Sequence, residues 1–217
     1  MAVFWKLLLL ALFVAAAAVN LIGNYRNNRR MAAAAKPLLM PLLVGLSFAA
    51  GTPDLLVVTG LACGFLGDVL LLWQEKKFCF MGGLLAFLAG HVCYCIAICR
   101  QIGGYTAWGW IAAMLILLSV ATAAYFSLQA KVPGDMKLPV IVYLLALVAL
   151  SFMSANLLVW KPTIISFVLL FGSLSFFASD YILARGKFDR ETPHHQFWVM
   201  LTYIAAQSAI GAWALFR

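Results

Sequence analysis

The chain has 217 residues, 65% of them hydrophobic and 10% charged, with a mean hydropathy of +1.01. Soluble domains carry roughly a quarter of their residues as charges, so a water-soluble enzyme is excluded. A nucleic-acid partner is excluded too, because the 15 Lys and Arg that outnumber 7 Asp and Glu are scattered over short loops instead of gathered on one face.

An apolar helix needs about 20 residues to cross the hydrocarbon core of a bilayer. Eight such runs follow one another at 3–22, 32–50, 53–73, 78–99, 105–128, 138–158, 163–184 and 196–216. The expected fold is therefore an all-α membrane protein, a bundle of eight transmembrane helices forming one domain over 1–217. No room remains for a soluble catalytic domain, so chemistry or transport must use groups inside the bundle or at its mouths.

The first run, "FWKLLLLALFVAAAAVN", has the small residues of a signal peptide, but Lys6 alone makes a weak basic flank and the run is read as a helix. The second opens on Lys36 with Pro37 and Pro41, and only "GTPD" at 51–54 separates it from the third, with Asp54 placed in the first turn beyond. The third carries Asp68 in "GFLGDVLLLW" and the seventh carries Asp180 in "SFFASDYILA".

In the fourth run His91, Cys95 and Cys99 recur every four residues and share a helical face, which raises zinc, but no fourth ligand is visible and no metal is expected. His91 is instead read as a core histidine, hydrogen-bonded and orienting groups or lining a cavity. The five cysteines, all between residues 63 and 99, are packing residues and not a disulfide framework. Tyr143 and Gln207 are read first as interhelical hydrogen-bonding groups. His194 and His195 are assigned to solvent or lipid headgroups. Trp5, Trp73, Trp108 and Trp160 fit an interfacial belt. There is no GxSxG elbow, HExxH or phosphate loop.

Alternate loops hold Arg26, Arg29 and Arg30, then Lys76 and Lys77, then Lys131 and Lys137, then Arg185, Lys187 and Arg190; the other side holds Lys6, Arg100, Lys161 and Arg217. The positive-inside rule then puts the basic loops in the cytoplasm and both termini outside. In that orientation Asp68 and Asp180 both lie roughly 7 Å inside the cytoplasmic boundary, at 1.5 Å of rise per residue. Lys36 shares their depth. Matching stretches, "VGLSFAA" with "VALSFMSA" and "GFLGDVLLL" with "FFASDYILA", indicate a weak internal duplication into two parallel four-helix repeats, about 1–103 and 104–217.

An ionisable group inside a membrane helix costs about 2.5 to 3.5 kcal/mol at the least, so it faces the bundle interior or a wet cavity. The two aspartates read either as structural partners of Lys36 or as halves of one site, in which one carboxyl serves as acid and the other stays charged. A proton-coupled transporter uses the same ingredients, and a lipid-binding membrane protein is a third reading.

"KPLLMPLL" at 36–43, "GDVLLL" at 67–72, "FMGGLLAFLAGHVCY" at 80–94, "FGSLSFFASDYILA" at 171–184 and "YIAAQSAI" at 203–210 resemble the YhhN-like lysoplasmalogenase family of membrane hydrolases. The likeness covers most of the chain from the second helix onward. It maps the family's motifs onto Lys36 and Pro37, Gly67 and Asp68, Gly90, His91 and Tyr94, Ser179 and Asp180, and Gln207, where "QSAI" departs from the usual pattern. The resemblance implies cleavage of the vinyl ether of a lysophospholipid to a fatty aldehyde and glycerophosphocholine or glycerophosphoethanolamine, without a cofactor. Asp68 and Asp180 would be catalytic, with Lys36, His91, Tyr94, Tyr143, Ser179 and Gln207 lining the substrate cavity and Arg29, Arg30 and Arg185 meeting the phosphate. The partners implied are the lysophospholipid substrate and membrane lipids. The compact loops lean towards a bacterial inner membrane.

Overall fold

The computed structural model describes residues 2–51, 53–104, 107–190 and 192–217; of residues 2, 107–109 and 112 it describes the backbone alone, so Thr52 of the "GTPD" turn and the side chain of Trp108 lie outside the described residues. The described residues form α-helices α1 (Ala2–Tyr25), α2 (Arg29–Ala35), α3 (Leu39–Ala49), α4 (Leu55–Leu71), α5 (Lys77–Cys99), α6 (Ala107–Leu128), α7 (Gly134–Trp160), α8 (Ile164–Phe188) and α9 (His195–Phe216). By length and composition six spans are apolar enough to cross a membrane, the path Arg29–Ala49 among them, and Leu55–Leu71 and Ala113–Leu128 are shorter apolar helices. The protein is thus an integral multi-pass membrane protein, and the six spans together with the two shorter apolar helices are consistent with the eight expected runs.

The second run is broken where its prolines fall. Lys36–Leu38 is a 3-10 turn between α2 and α3. Pro37 and Pro41 lack the N–H that would bond four residues back, so the tighter turn replaces the missing rungs. Asp54, expected inside the following helix, is instead its N-cap and accepts from the N–H groups of Leu56 at 2.8 Å and Val57 at 3.3 Å. It also pairs with Arg217, whose guanidinium lies 4.6 Å from the Trp213 ring. At the other end of the bundle α8 runs past the expected Ala184 to Phe188, since Arg185 and Lys187 in its last turn complement the negative helix end.

The loops grouped by charge do share one end of the bundle. Lys77 pairs with Asp135, Lys131 reaches Asp189 at 2.5 Å, Arg29 reaches Glu75 at 3.5 Å, and Lys187 donates to the Gln74 carbonyl at 2.6 Å. His194 and His195 belong to this end as well; His194 is exposed as expected, whereas His195 is buried. His194 stacks on Tyr25 with ring centroids 4.4 Å apart, and His195 is buried against Gly186, where a Cβ would sit 2.0 Å from its Nε2. The buried imidazole of His195 is therefore a packing group at the start of α9, while His194 rests on Tyr25 at the surface.

The most extensive helix pairs are α8 with α9 and α4 with α5. Their closeness follows from small residues. A Cβ on Gly60 would lie 2.2 Å from the Tyr94 ring, one on Gly67 2.6 Å from Phe87, and one on Gly172 2.7 Å from Ala209. Without an aqueous hydrophobic effect to drive them together, membrane helices associate through such close packing. In contrast α1 and α6 present Val3, Phe4, Leu7, Leu115 and Ile116 outward, as lipid-facing helices do.

Candidate active site

Asp68 and Asp180 arrive from the two tightly packed pairs, one on α4 and one on α8, and they line a common cavity of about 30 Å³ together with Lys36, Ser179 and Tyr203. Their helices end differently, Asp68 lying near the end of α4 and Asp180 well before the end of α8. The longer α8 protrudes beyond α4, and the carboxylates still meet at one level.

The partners of the two carboxylates differ. Asp68 is 1% exposed; its Oδ1 lies 3.4 Å from the Lys36 ammonium and its Oδ2 accepts from the Tyr203 hydroxyl at 2.8 Å. The 3-10 turn is what carries Lys36 inward to this point. Asp180 is half-buried and its Oδ2 accepts from the Tyr143 hydroxyl at 2.5 Å; it shares the cavity with Lys36 but forms no ion pair among the described residues. Each carboxyl accepts from a phenol, and of the two Asp68 alone also pairs with an ammonium among the described residues.

Behind Asp68 a short relay crosses three helices. Tyr94 donates to Gln207 Oε1 at 2.8 Å, and Gln207 Nε2 lies 3.4 Å from the Tyr203 oxygen that serves Asp68. Tyr94 and Gln207, expected to line the substrate cavity, thus reach it through Tyr203. Sequence reasoning passed over Tyr203 itself, although Tyr203 and Gln207 stand one helical turn apart and share a face. Ser179 borders the cavity, but its hydroxyl is taken by the Val199 carbonyl at 3.0 Å and pins α8 to α9.

His91 corrects an expectation. It is 1% exposed, and neither ring nitrogen has a hydrogen-bond partner among the described residues. Its neighbours are rings, Phe176 at 4.5 Å and Tyr143 at 5.4 Å between centroids, both edge-on. The stripe to Cys95 and Cys99 winds from the core to the exposed Cys99, because four residues overshoot a 3.6-residue turn by about 40°. Among the described residues no group of three or more His, Cys, Asp or Glu gathers where a metal ion could be held.

The carboxylate cavity has neighbours on two sides. It shares Lys36, Gln74 and Gln196 with a polar mouth of about 230 Å³ at the basic end, lined also by Arg29 and Glu75. Arg29 is thus the one expected phosphate partner at the mouth. Arg185 is turned to Asp189 at 3.7 Å, and neither it nor Arg30 lines this opening. On the other side Asp180 and Tyr143 border two apolar arms, one between α5, α7 and α8 past Phe80 and Leu84, the other between α6, α7 and α8 past Leu128 and Phe177. Polar mouth, carboxylate pair and apolar arms are thus adjacent cavities that share lining residues.

A sequence model of the YhhN family matches residues 31–214. Curated relatives include lysoplasmalogenase TMEM86B of Homo sapiens, 31% identical over 71% of this chain, and its counterpart of Sus scrofa, 31% identical over 70% of this chain. Lysoplasmalogenase TMEM86A of Bos taurus is 28% identical over 71% of the chain. The chain spans about three fifths of the length of the first two, 61% and 59% respectively. No solved structure matches.

Proposed function

This chain belongs to the YhhN family, and we propose that it is a lysoplasmalogenase that hydrolyses the vinyl ether of a lysophospholipid to a fatty aldehyde and a glycerophosphoethanolamine or glycerophosphocholine. The observation that carries this reading is the unlike pair of carboxyls at the junction of a polar mouth with apolar arms. Vinyl ethers are cleaved by protonation of the outer vinylic carbon, so a proton donor and an anion are the two parts needed.

Asp180, which lacks the ion pair that Asp68 makes, is the donor in this scheme. Its proton passes to the outer vinylic carbon, and the inner carbon becomes part of an oxocarbenium ion. Asp68, held beside the Lys36 ammonium, stabilises that cation and takes a proton from water as the water's oxygen bonds to the inner carbon. The cavity of about 30 Å³ exceeds the ~10 to 15 Å³ that a water requires. The resulting hemiacetal then collapses. Asp68 returns its proton to the departing glycerol oxygen, the hemiacetal hydroxyl gives its proton to Asp180, and both groups regain their starting state. Lys36 keeps Asp68 charged and meets the phosphate from the mouth, while the alkenyl chain lies in an apolar arm.

We assign the basic end to the cytoplasm and both termini to the outside on the distribution of Lys and Arg. The packing of α4 with α5 and of α8 with α9, each pair contributing one aspartate, supports a duplicated origin of the two halves.

Aldehyde release from a lysoplasmalogen by the detergent-purified protein tests the reaction, run beside the acyl-ester analogue. Release from the vinyl ether alone is expected. Folded Asp68→Asn and Asp180→Asn variants are each expected to lose at least about a hundredfold, the usual scale of a lost acid or base. Absence of release by folded wild type would remove the hydrolase reading and favour proton-coupled transport.

A further inference from the structure

Among the residues that line the polar mouth, Glu75 is the one anion, paired with Arg29 in a lining that also includes Lys36. Its bond to Arg29 is long, 3.5 Å, and both side chains are largely exposed, 73% and 89%. Exposed pairs of this kind contribute about 1 kcal/mol at most, so either partner exchanges readily for an ion of the ligand. Lys36 cannot be released in the same way, since it is mostly buried beside Asp68. The mouth also holds the side-chain amides of Asn27, Gln74 and Gln196, for which the described residues supply no hydrogen bond. None of the residues lining it is aromatic.

A phosphodiester alone accounts for the two cations but not for the carboxylate, which repels it. A headgroup that carries a cation beyond its phosphate accounts for all three charges. A quaternary ammonium is held best by aromatic faces, and this mouth has none. A primary ammonium instead offers three N–H donors, suited to a carboxylate and amide oxygens.

Resting on the lysoplasmalogenase reading, we propose that Glu75 and the neighbouring amides bind the primary ammonium of a phosphoethanolamine headgroup and select it over choline and over an amine-free phosphate. Arg29 then turns to the phosphate that replaces Glu75 as its partner. The carboxylate acts on binding and takes no part in the proton transfers at Asp68 and Asp180.

The experiment compares kcat/KM for three alkenyl glycerophospholipids of one chain length, bearing ethanolamine, choline or no headgroup alcohol, in wild type, Glu75→Gln, Glu75→Lys and the distant surface variant Lys137→Gln. Wild type and Lys137→Gln are expected to favour ethanolamine by about fivefold, the size of one exposed ion pair. Glu75→Gln is expected to bring the three substrates within about twofold, and Glu75→Lys to favour the amine-free phosphate. Equal use of the three substrates by wild type, or an ethanolamine preference that survives in Glu75→Gln, overturns the proposal while leaving the hydrolase reading intact. Binding of saturated-ether analogues with the same three headgroups, which have no vinyl bond to cleave, is measured calorimetrically in nanodiscs in parallel. An ethanolamine preference there, lost in Glu75→Gln, upholds the headgroup site even if no aldehyde is released, and equal binding of all three analogues overturns it.

Discussion

The division of labour proposed for Asp68 and Asp180 rests on single hydroxyls and one ammonium. Tyr203 donates to Asp68 and Tyr143 to Asp180, and a hydrogen bond to a charged or reacting carboxyl contributes about 1.5 to 3 kcal/mol. Tyr203→Phe is therefore expected to lower kcat by roughly tenfold to a hundredfold with little change in KM, measured by aldehyde release. An unchanged kcat would mean that Tyr203 merely packs. His91 leads to the opposite expectation. Both its nitrogens are buried without partners, and a polar group in that state costs about 1 to 3 kcal/mol. His91→Leu, close in volume, should raise or preserve the thermal midpoint in detergent and keep aldehyde release within about threefold. A loss of a hundredfold would instead return His91 to the chemistry. The contrast shows what was readable at this scale: the positions of Asp68, Asp180 and Lys36 stood out as charges in apolar runs, whereas the partners of His91 depend on which rings α7 and α8 turn towards it.

Between helices the site depends on how closely α4 approaches α5. The Tyr94 ring fills the space beside Gly60, and Tyr94 is the far end of the relay through Gln207 and Tyr203 to Asp68. Gly60→Ala forces that ring aside, so it should cost about 1 to 3 kcal/mol of stability and lower turnover together, whereas an overpacked site remote from the relay affects stability alone. At the opposite end Asp54 caps α4 and pairs with Arg217. Burial alone would push its carboxyl up, but Arg217 and the N–H groups of Leu56 and Val57 outweigh this and hold it below the usual carboxylate range. A depressed group stabilises the fold above its unfolded value of about 3.9 and loses that contribution as pH falls through the lower folded value. Wild type should therefore lose part of its thermal stability as the pH is taken below about 4, and Asp54→Ala, already about 1 kcal/mol less stable at neutral pH, should show a flatter profile there. Asp54→Asn keeps the cap and isolates the ion pair.

For the whole molecule, the order of cavities from the basic end to the apolar arms suits the proposed substrate, which would belong to one leaflet with its headgroup at the membrane surface and its chain among helices. Which leaflet is a matter of orientation. With the native cysteines replaced by Ser, a membrane-impermeant maleimide applied to intact cells should label Lys161→Cys and should reach Lys76→Cys only after permeabilisation. The reverse pattern would invert the bundle and move the substrate to the other leaflet.

Read alone, the sequence determined the membrane class, the succession of eight apolar crossings, the common end shared by the basic loops and the similar depth of Asp68, Asp180 and Lys36. These follow from length and from alternation: an apolar run long enough to cross must cross, and every second loop then shares a side. The tertiary structure alone decided that Lys36 serves Asp68 and Tyr143 serves Asp180, that Tyr203 joins Gln207 and Tyr94 to the site, and that Glu75 faces Arg29 across the mouth. In a soluble helix the polar side marks the outer face, but these helices are apolar all round, so the pattern of residues does not reveal how each is turned about its axis. Rotation is set by the fit of Gly60, Gly67 and Gly172 against their neighbours, and that fit exists only once the helices are packed.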